Sequence, residues 1–376
     1  MRSALAAIVC LTLSASLSCA ANASPNPQPV PTQAPATQPV RQPAPPQTLP
    51  QAPASTPAPS PGPRVRLVAT GGTISNRAGG RLTAEELIKA IPDLPRYATP
   101  EFEQFANTSS SAMTMEQWLN LAQRINELFR TNAALAGVVV TSGTDTLEEL
   151  AYFLNLTVRD ARPVAVVGSM RNPSTLGYEG AANLLEGFRV AADPASRGRG
   201  VMVVLNDEIN AAREVTKTDA LRLHTFQTRG YGLLGVIDRD RVVYYRRVER
   251  RHTADSEFDV AAMTALPRVD VLLTYQGANG DLIQAAVDAG AQGIVIATAG
   301  AGAMSGTQGE GVRYATSKGV PVVMTTRTGS GRIAGGGRGS TIAGEDLAPI
   351  KARILLMVAL AQTKDLSELR RIFSEY

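Results

Sequence analysis

The sequence predicts an α/β protein in which a large N-terminal domain, with a doubly wound and mainly parallel sheet, precedes a smaller C-terminal α/β domain. Two observations support this prediction. From Arg64 onward, short runs rich in valine and isoleucine alternate with longer amphipathic segments, as strands alternate with helices around a parallel sheet. The 313 residues from there to Tyr376 are also enough for two domains of common size.

The strands of the large domain are predicted to end at turns that carry polar side chains. The first strand runs into Thr70-Gly71-Gly72-Thr73, and the second runs into Ser142-Gly143-Thr144-Asp145. A helix is expected to begin at Thr146, directly after the second turn. The predicted strands of this domain lie at residues 65–69, 137–141, 164–168 and 200–206.

Two helices of the large domain have N-terminal signals in the sequence. Thr83-x-x-Glu86 and Thr114-x-x-Gln117 are capping boxes, in which the threonine and the side chain three residues later bond each other's free N–H groups. After the second box, Trp118, Leu121 and Ile125 recur at helical spacing. This helix is therefore predicted to pack against the core.

The character of the chain changes after Asp255, and we place the domain division there. Residues 64–255 form the predicted large domain, 256–268 a connector and 269–376 the small domain. The small domain is predicted to contain strands at 269–275, 293–298 and 320–325, and helices near 282–289 and 347–362.

Residues 1–23 are predicted to be a signal peptide, because Arg2 is followed by an apolar stretch and by the small-residue cleavage pattern Ala21-Asn22-Ala23. Residues 24–63 contain 15 of the 24 prolines and one charged residue, Arg41, and so have too little apolar surface to fold. They are predicted to be a disordered linker. We expect an exported protein, periplasmic or secreted, with a lipid anchor at Cys19 as the less favoured alternative.

Composition argues against several other classes of protein. The 37 basic and 33 acidic residues are interspersed, and the most basic run, residues 244–251, is typical of an edge strand, so nucleic-acid binding is not expected. No apolar run after the signal peptide reaches about 18 residues, so no membrane span is expected. Both cysteines precede residue 24 and there are two histidines, so neither a metal nor another cofactor is predicted.

The turn after the first strand is a candidate nucleophile site. In an open parallel sheet, ligands bind beyond the carboxyl ends of the strands. Gly71 and Gly72 would allow the backbone to direct N–H groups into that crevice, and the hydroxyl of Thr73 follows them.

The turn after the second strand offers charged partners. The helix that begins after Thr144 and Asp145 favours an anion at its N-terminus, while Asp145 suits an ammonium group, so the pair fits the head of an amino acid. Lys217 is a candidate base for a threonine hydroxyl, provided that it is desolvated beside this turn. On spacing alone, the alternative stays open that the threonines only cap turns and that Lys217 is a surface charge.

Two segments resemble signature sequences of the bacterial L-asparaginase family, type II (exported) branch. They are Ala69-Thr70-Gly71-Gly72-Thr73-Ile74 and Thr141-Ser142-Gly143-Thr144-Asp145-Thr146. Val215-Thr216-Lys217-Thr218 and the C-terminal stretch that starts at Lys351-Ala352-Arg353 follow in family order, and the likeness extends from about Val65 to Tyr376.

The resemblance implies a fold of two α/β domains, a homotetramer of two dimers and hydrolysis of L-asparagine to L-aspartate and ammonia through an acyl-enzyme, with no metal or organic cofactor. Thr73 would be the primary nucleophile, and Thr144, Lys217 and Asp145 the second catalytic group. The implied substrate-binding residues are Ser110, Ser111, Thr144, Asp145, Ser169 and, from a neighbouring subunit, Asn279.

Several positions depart from the family pattern. Residues 75–82 contain no tyrosine where the family has a lid tyrosine, and residues 329–340 contain no acidic residue to support one. We hypothesise that Arg77, Arg81 or a neighbour's Arg332 or Arg338 contributes to closure instead. Ser142 replaces a usual histidine, and Ser111 a usual glutamine or glutamate, which bears on substrate choice.

Two alternatives to a specific asparaginase therefore stay open. One is a glutaminase-asparaginase of broad specificity, which also hydrolyses L-glutamine. The other is a secreted amino-acid-binding protein with impaired turnover.

Overall fold

The computed structural model describes residues 62–334 and 339–376. The predicted signal peptide, the linker up to residue 61, and Arg338 lie outside the described residues. In the described part of the chain, the strands in order are β1 (Arg64–Gly71), β2 (Asn76–Arg77), β3 (Gly80–Arg81), β4 (Thr99–Thr108), β5 (Leu135–Thr141), β6 (Val164–Val167), β7 (Val201–Leu205), β8 (Glu208–Ala211), β9 (Val215–Lys217), β10 (Phe226–Thr228), β11 (Gly235–Ile237), β12 (Val242–Tyr244), β13 (Val269–Leu273), β14 (Gly293–Thr298), β15 (Val322–Thr326) and β16 (Thr341–Ala343).

The helices connect these strands or pack on them. They are α1 (Ala84–Lys89), α2 (Met115–Thr131), α3 (Leu147–Thr157), α4 (Gly180–Ala192), α5 (Asp281–Asp288), α6 (Gln308–Ser317), α7 (Pro349–Leu360) and α8 (Leu366–Glu375). Both predicted capping boxes are present: the Thr83 side chain accepts from the N–H of Glu86, and that of Thr114 accepts from the N–H of Gln117. None of the helices in the described residues is long and apolar enough to cross a membrane.

The large sheet has the strand order β12-β11-β8-β7-β6-β5-β1-β4. Strands β4, β1, β5, β6 and β7 are parallel, and β8, β11 and β12 extend the sheet by antiparallel pairing. The chain moves from β1 to β4 on one side and then to β5 on the other, so its direction switches beside β1. Because Ala69 pairs with Thr141, the turns after β1 and β5 leave the sheet side by side.

Valine and alanine side chains alternate between the two faces of this sheet. Val68, Val138 and Val140 join the core under α2, α3 and α7, whereas Leu67 and Val139 join the core under α1 and α4. Because both faces are covered, the strands read as continuous apolar runs. The predicted doubly wound α/β class is confirmed.

The structure contains a strand that the sequence did not predict. The ten residues of β4 include Pro100 and several acidic or amide side chains, and none of them is fully buried. An edge strand with one neighbour needs no apolar run, and its polar side chains discourage pairing with other chains. The prediction of an edge strand at 244–251 is wrong: β12 lies at the opposite edge of the sheet but ends at Tyr244, and residues 245–251 form no strand.

The small sheet is parallel throughout, with the order β13-β14-β15-β16. Residues of α5 and α6 share its smaller core, while α7 lies against both this sheet and α3. Every predicted strand and helix of this domain is present, with ends shifted by a few residues. The exact domain boundaries stay a prediction.

Two side chains of α4 hold the ends of neighbouring strands. The Asn183 amide donates to the carbonyl of Gly168, at 2.9 Å, and its Oδ1 accepts from the N–H of Asn206 at 3.0 Å. One turn later, Glu186 Oε2 accepts from the N–H of Asp207 at 3.1 Å. This arrangement fixes the loop after β6 relative to the β7–β8 turn.

The buried carboxyl of Glu186 should make stability depend on pH. Burial, with Asp207 beside it, raises the pKa of Glu186 from 4.5 to about 8. Between these two values the folded protein holds a proton that the unfolded chain releases, so the free energy of unfolding falls as pH rises through that window. The free energy of unfolding can be measured by denaturant titration at pH 5 and at pH 8.5. Between these two pH values it should fall by on the order of 2 kcal/mol more in wild type than in Glu186→Gln.

The matched control for this pH dependence is Glu85→Gln, because Glu85 is an exposed carboxylate on α1. It should keep the wild-type dependence. An equal loss in wild type and Glu186→Gln would show that another group is responsible.

Candidate active site

Three backbone segments meet at the carboxyl edge of the large sheet. Gly71 and Gly72 both have positive φ, at 106° and 90°. A Cβ on Gly72 would lie 2.3 Å from the backbone N of Gly143, and one on Gly143 would lie 2.8 Å from Ser110 Oγ. Only glycine permits this approach, so these residues bring the two threonine turns and the serine segment into contact.

Thr73 begins a single 3-10 turn, Thr73–Ser75, directly after the glycines. Two hydrogen bonds close the turn, because the N–H and the hydroxyl of Ser75 both donate to the carbonyl of Gly72, at 3.1 and 3.0 Å. Thr73 is half-buried, and its hydroxyl makes no hydrogen bond to the described residues. The hydroxyl is therefore available to a ligand in the crevice.

Thr144, Asp145 and Lys217 form one connected group. Lys217 Nζ donates to Thr144 Oγ1 at 3.1 Å and to Asp145 Oδ1 at 2.8 Å. The side chain of Lys217 is 16% exposed, whereas that of Asp145 is 73% exposed. The lysine is thus largely desolvated beside a buried threonine, and the aspartate stays open to a ligand.

Two buried charges that the sequence analysis missed hold Lys217 in place. Glu148 Oε1 accepts from the N–H of Lys217 at 2.9 Å and from the hydroxyl of Thr216 at 3.1 Å. Lys351 Nζ lies 3.8 Å from the other carboxylate oxygen of Glu148. Charged side chains of both α3 and α7 therefore support β9, the strand that carries Lys217.

Lys351 also supports the chain where it enters β9. Its ammonium group donates to the carbonyls of Ala212 (2.9 Å), Arg213 (3.1 Å) and Val215. Burial lowers the pKa of Lys351 to about 8. The available sequence signal was a lysine inside the mostly apolar helix α7, since an unpaired lysine is rarely buried.

The predicted substrate-binding serines occupy different positions around this group. Ser110 is buried, and its Oγ accepts from the N–H of Thr146 at 3.4 Å, so it lies at the N-terminus of α3. Ser111 is exposed. Ser169 is buried after β6, and a Cβ on the preceding Gly168 would lie 3.3 Å from the methyl group of Thr144.

Asn279 is not brought to this group within the chain. It is exposed in the small domain before α5, where its Oδ1 accepts from the hydroxyl of Thr307 at 3.0 Å and its Nδ2 donates to Asp281 at 2.8 Å. A role in substrate binding requires a neighbouring subunit and stays a prediction.

Two of the arginines considered for closure, Arg77 and Arg332, have partners of their own. Arg77 pairs with Glu86 at 3.1 Å, and Arg332 pairs with Glu345 at 2.7 Å. Arg81 Nη1 is buried without a hydrogen-bond partner among the described residues. The β2–β3 hairpin, residues 76–81, is the short segment that follows the Thr73 turn.

A cavity of about 460 Å³ is lined in part by Lys217. It is lined by β9, by the segment around Tyr231 and by small-domain residues that include Lys351, whereas neither Thr73 nor Thr144 lines it.

Residues 62–334 and 339–376 contain no group of three or more His, Cys, Asp or Glu side chains placed to hold a metal ion.

The fold and this site define a two-domain α/β enzyme, with threonine turns at the carboxyl edge of a mainly parallel sheet. Residues 64–250 match the family described as "Asparaginase, N-terminal", and residues 268–373 match the "Glutaminase/Asparaginase C-terminal domain". The chain therefore belongs to the asparaginase family, as the sequence resemblance predicted.

Individual relatives are similar over most of their length. The chain is 40% identical to "L-asparaginase 2" of Bacillus subtilis over 327 residues, which cover 84% of this chain and 87% of that protein. It is 36% identical to the "Probable L-asparaginase periplasmic" of Haemophilus influenzae, over 84% of this chain and 93% of that one. The crystal structure of the probable cytoplasmic L-asparaginase from Campylobacter jejuni is similar with a TM-score of 0.79 at 38% identity, covering 83% of this chain and 99% of that chain.

Proposed function

We propose that this enzyme hydrolyses the side-chain amide of L-asparagine to L-aspartate and ammonia. The observation that carries the proposal is the contact of Lys217 with Thr144 and Asp145, in a turn that touches the Thr73 turn through Gly72 and Gly143. The support is that the turn carrying Thr73 touches the turn carrying the lysine-bonded Thr144, in a chain of the asparaginase family.

The proposed reaction begins with attack of Thr73 Oγ on the amide carbon. The hydroxyl proton is lost as the new C–O bond forms, and backbone N–H groups of the crevice stabilise the tetrahedral oxyanion. Collapse of this intermediate breaks the C–N bond, and the leaving nitrogen takes up a proton and departs as ammonia. Water then attacks the acyl-enzyme, which releases aspartate and restores the threonine.

In this proposal the charges of the site hold the two ends of the substrate. Asp145, with its exposed carboxylate, binds the α-ammonium group, and Ser110 binds the α-carboxylate near the N-terminus of α3. The backbone at Ser169 meets the side-chain amide. Thr144 and Lys217 transfer the proton that the reacting hydroxyl loses.

We also propose that the enzyme forms a homotetramer in which Asn279 reaches a neighbour's substrate. Around Asn279 the apolar side chains of Leu273, Tyr275 and Leu282 are about half exposed, as expected for a surface that another subunit covers. Sedimentation velocity should give a mass near four chains.

Export stays a proposal based on the N-terminal sequence, since the relatives include one called periplasmic and one called cytoplasmic.

A broader glutaminase-asparaginase activity is the second candidate. The small hairpin after Thr73 and the match to a Glutaminase/Asparaginase domain favour it. The ratio of kcat/KM for asparagine to that for glutamine decides between the two. A binding protein with impaired turnover would instead bind aspartate in calorimetry and release no ammonia from asparagine.

Lys217→Met tests the proton-transfer role. We expect kcat for ammonia release to fall by about 10²- to 10³-fold, the usual contribution of a general acid–base group. Because Lys217 bonds an exposed aspartate, the melting temperature should change little by comparison. Lys89→Met, which removes an exposed lysine paired with Glu85, is the matched control and should keep full activity. A kcat for Lys217→Met within threefold of wild type would remove the lysine from the mechanism.

A further inference from the structure

Two hydrogen bonds attach the segment after Thr73 to the β6–α4 loop, residues 168–179. The Tyr178 hydroxyl donates to the carbonyl of Ile74 at 2.8 Å, and the N–H of Ala78 donates to Ser174 Oγ at 2.8 Å. The first bond reaches the middle of the turn that carries Thr73, and the second reaches the tip of the β2–β3 hairpin.

Tyr178 is itself held in one position. A Cβ on Gly180 would lie 2.4 to 2.5 Å from the Tyr178 ring and hydroxyl, so the ring lies directly over this glycine at the start of α4. The ring also packs against the core formed by α1 and α4. Burial raises the pKa of Tyr178, so its hydroxyl stays protonated and remains a donor at neutral pH.

The loop that carries Tyr178 is fixed by its own hydrogen bonds. The Glu179 carboxylate accepts from the N–H groups of Met170 and Arg171, and the Ser169 hydroxyl donates to the carbonyl of Arg171 at 2.6 Å. Asn183 on α4 holds the carbonyl of Gly168. Tyr178 thus connects the Thr73 turn to a rigid loop whose first residues lie against Thr144.

The Thr73 turn needs such a support. It is one 3-10 turn long, and its N-cap, Gly72, provides no side-chain cap. A short turn of this kind has few bonds to fix the direction of its side chains. One hydrogen bond from outside the turn, to the carbonyl of Ile74, can therefore strongly affect the orientation of Thr73.

We propose that Tyr178 is a positioning residue for the nucleophile, which orients Thr73 through its hydrogen bond to the carbonyl of Ile74. In this chain, the tyrosine beside the nucleophile turn comes from the β6–α4 loop and not from the segment that follows Thr73. The proposal rests on the function proposed above, because it assumes that Thr73 attacks the amide.

Tyr178→Phe keeps the ring and removes only the hydroxyl. We expect kcat for asparagine to fall about tenfold with KM within about twofold, since a small misplacement of the nucleophile affects the chemical step more than binding. Tyr244→Phe is the matched control: Tyr244 is also largely buried and hydrogen-bonded, to Ser196 at 2.5 Å, but lies at the far edge of the sheet. It should lose similar stability and keep wild-type kcat.

Limited trypsin digestion gives a readout that does not depend on activity. Arg77 and Arg81 are cleavage sites within the hairpin, and cleavage there should be several-fold faster in Tyr178→Phe and in Ser174→Ala than in wild type or Tyr244→Phe. If Tyr178→Phe keeps kcat within twofold of wild type, if Tyr244→Phe loses as much kcat, or if hairpin cleavage is unchanged, the proposal is overturned. A wild-type enzyme that releases no ammonia would refute the proposed function instead, while the digestion would still report on the Tyr178 bond.

Discussion

Thr73→Ala should abolish ammonia release, with kcat lower than wild type by about 10⁴-fold or more, because no acyl-enzyme forms without the attacking oxygen. Thr73 is half-buried and its hydroxyl has no partner among the described residues, so alanine leaves the fold intact. The free energy of unfolding should change by less than about 1 kcal/mol. Single-turnover ammonia release from asparagine, measured on protein checked by circular dichroism, provides the test.

The control for this experiment is Thr73→Ser, which keeps a hydroxyl at the same position and should recover a large part of the lost activity. Binding of aspartate, measured by calorimetry, should be nearly unchanged in Thr73→Ala, because Asp145 and Ser110 hold the amino-acid head in the proposed mechanism. Should Thr73→Ala retain more than about one hundredth of the wild-type kcat, another group must be the nucleophile.

Lys351→Met should have the largest effect on stability, a loss of about 3 to 5 kcal/mol at pH 7, because it leaves a buried carboxylate without its partner. Lys351 is 1% exposed, donates to three backbone carbonyls between Ala212 and Val215 and faces Glu148. Methionine fills a similar volume without a donor. Chemical denaturation of the purified protein measures the loss as a shift of the midpoint.

A double variant separates the charge from the packing. Adding Glu148→Gln to Lys351→Met removes the unpaired carboxylate and keeps an oxygen for the N–H of Lys217, so it should restore at least about 1 kcal/mol. Lys89→Met, at an exposed ion pair, should change stability by less than about 0.5 kcal/mol. A Lys351→Met protein as stable as wild type would show that the buried pair of Lys351 and Glu148 contributes nothing to stability.

The buried strands of the large sheet were predictable because both of their faces are covered. Strands β5, β6 and β7 are nearly continuous apolar runs, as is β1 after Arg66, and the structure places these strands where the sequence indicated. Strand β4 and the short antiparallel strands had no such signal. They form by pairing with a neighbouring strand, and only the folded sheet provides that neighbour.

The sequence by itself determined the α/β class, the two glycine-threonine turns and the type of chemistry that a threonine, a lysine and an aspartate can perform. These follow from local patterns of one strand or one turn. Only the tertiary structure decided which residues surround Lys217 and Thr73. Glu148 on α3 accepts from the N–H of Lys217, and Lys351 on α7 pairs with Glu148. Tyr178 reaches Ile74 across 104 positions of the chain. Such contacts arise because packing brings distant segments together, and a single sequence carries no periodic signal for them.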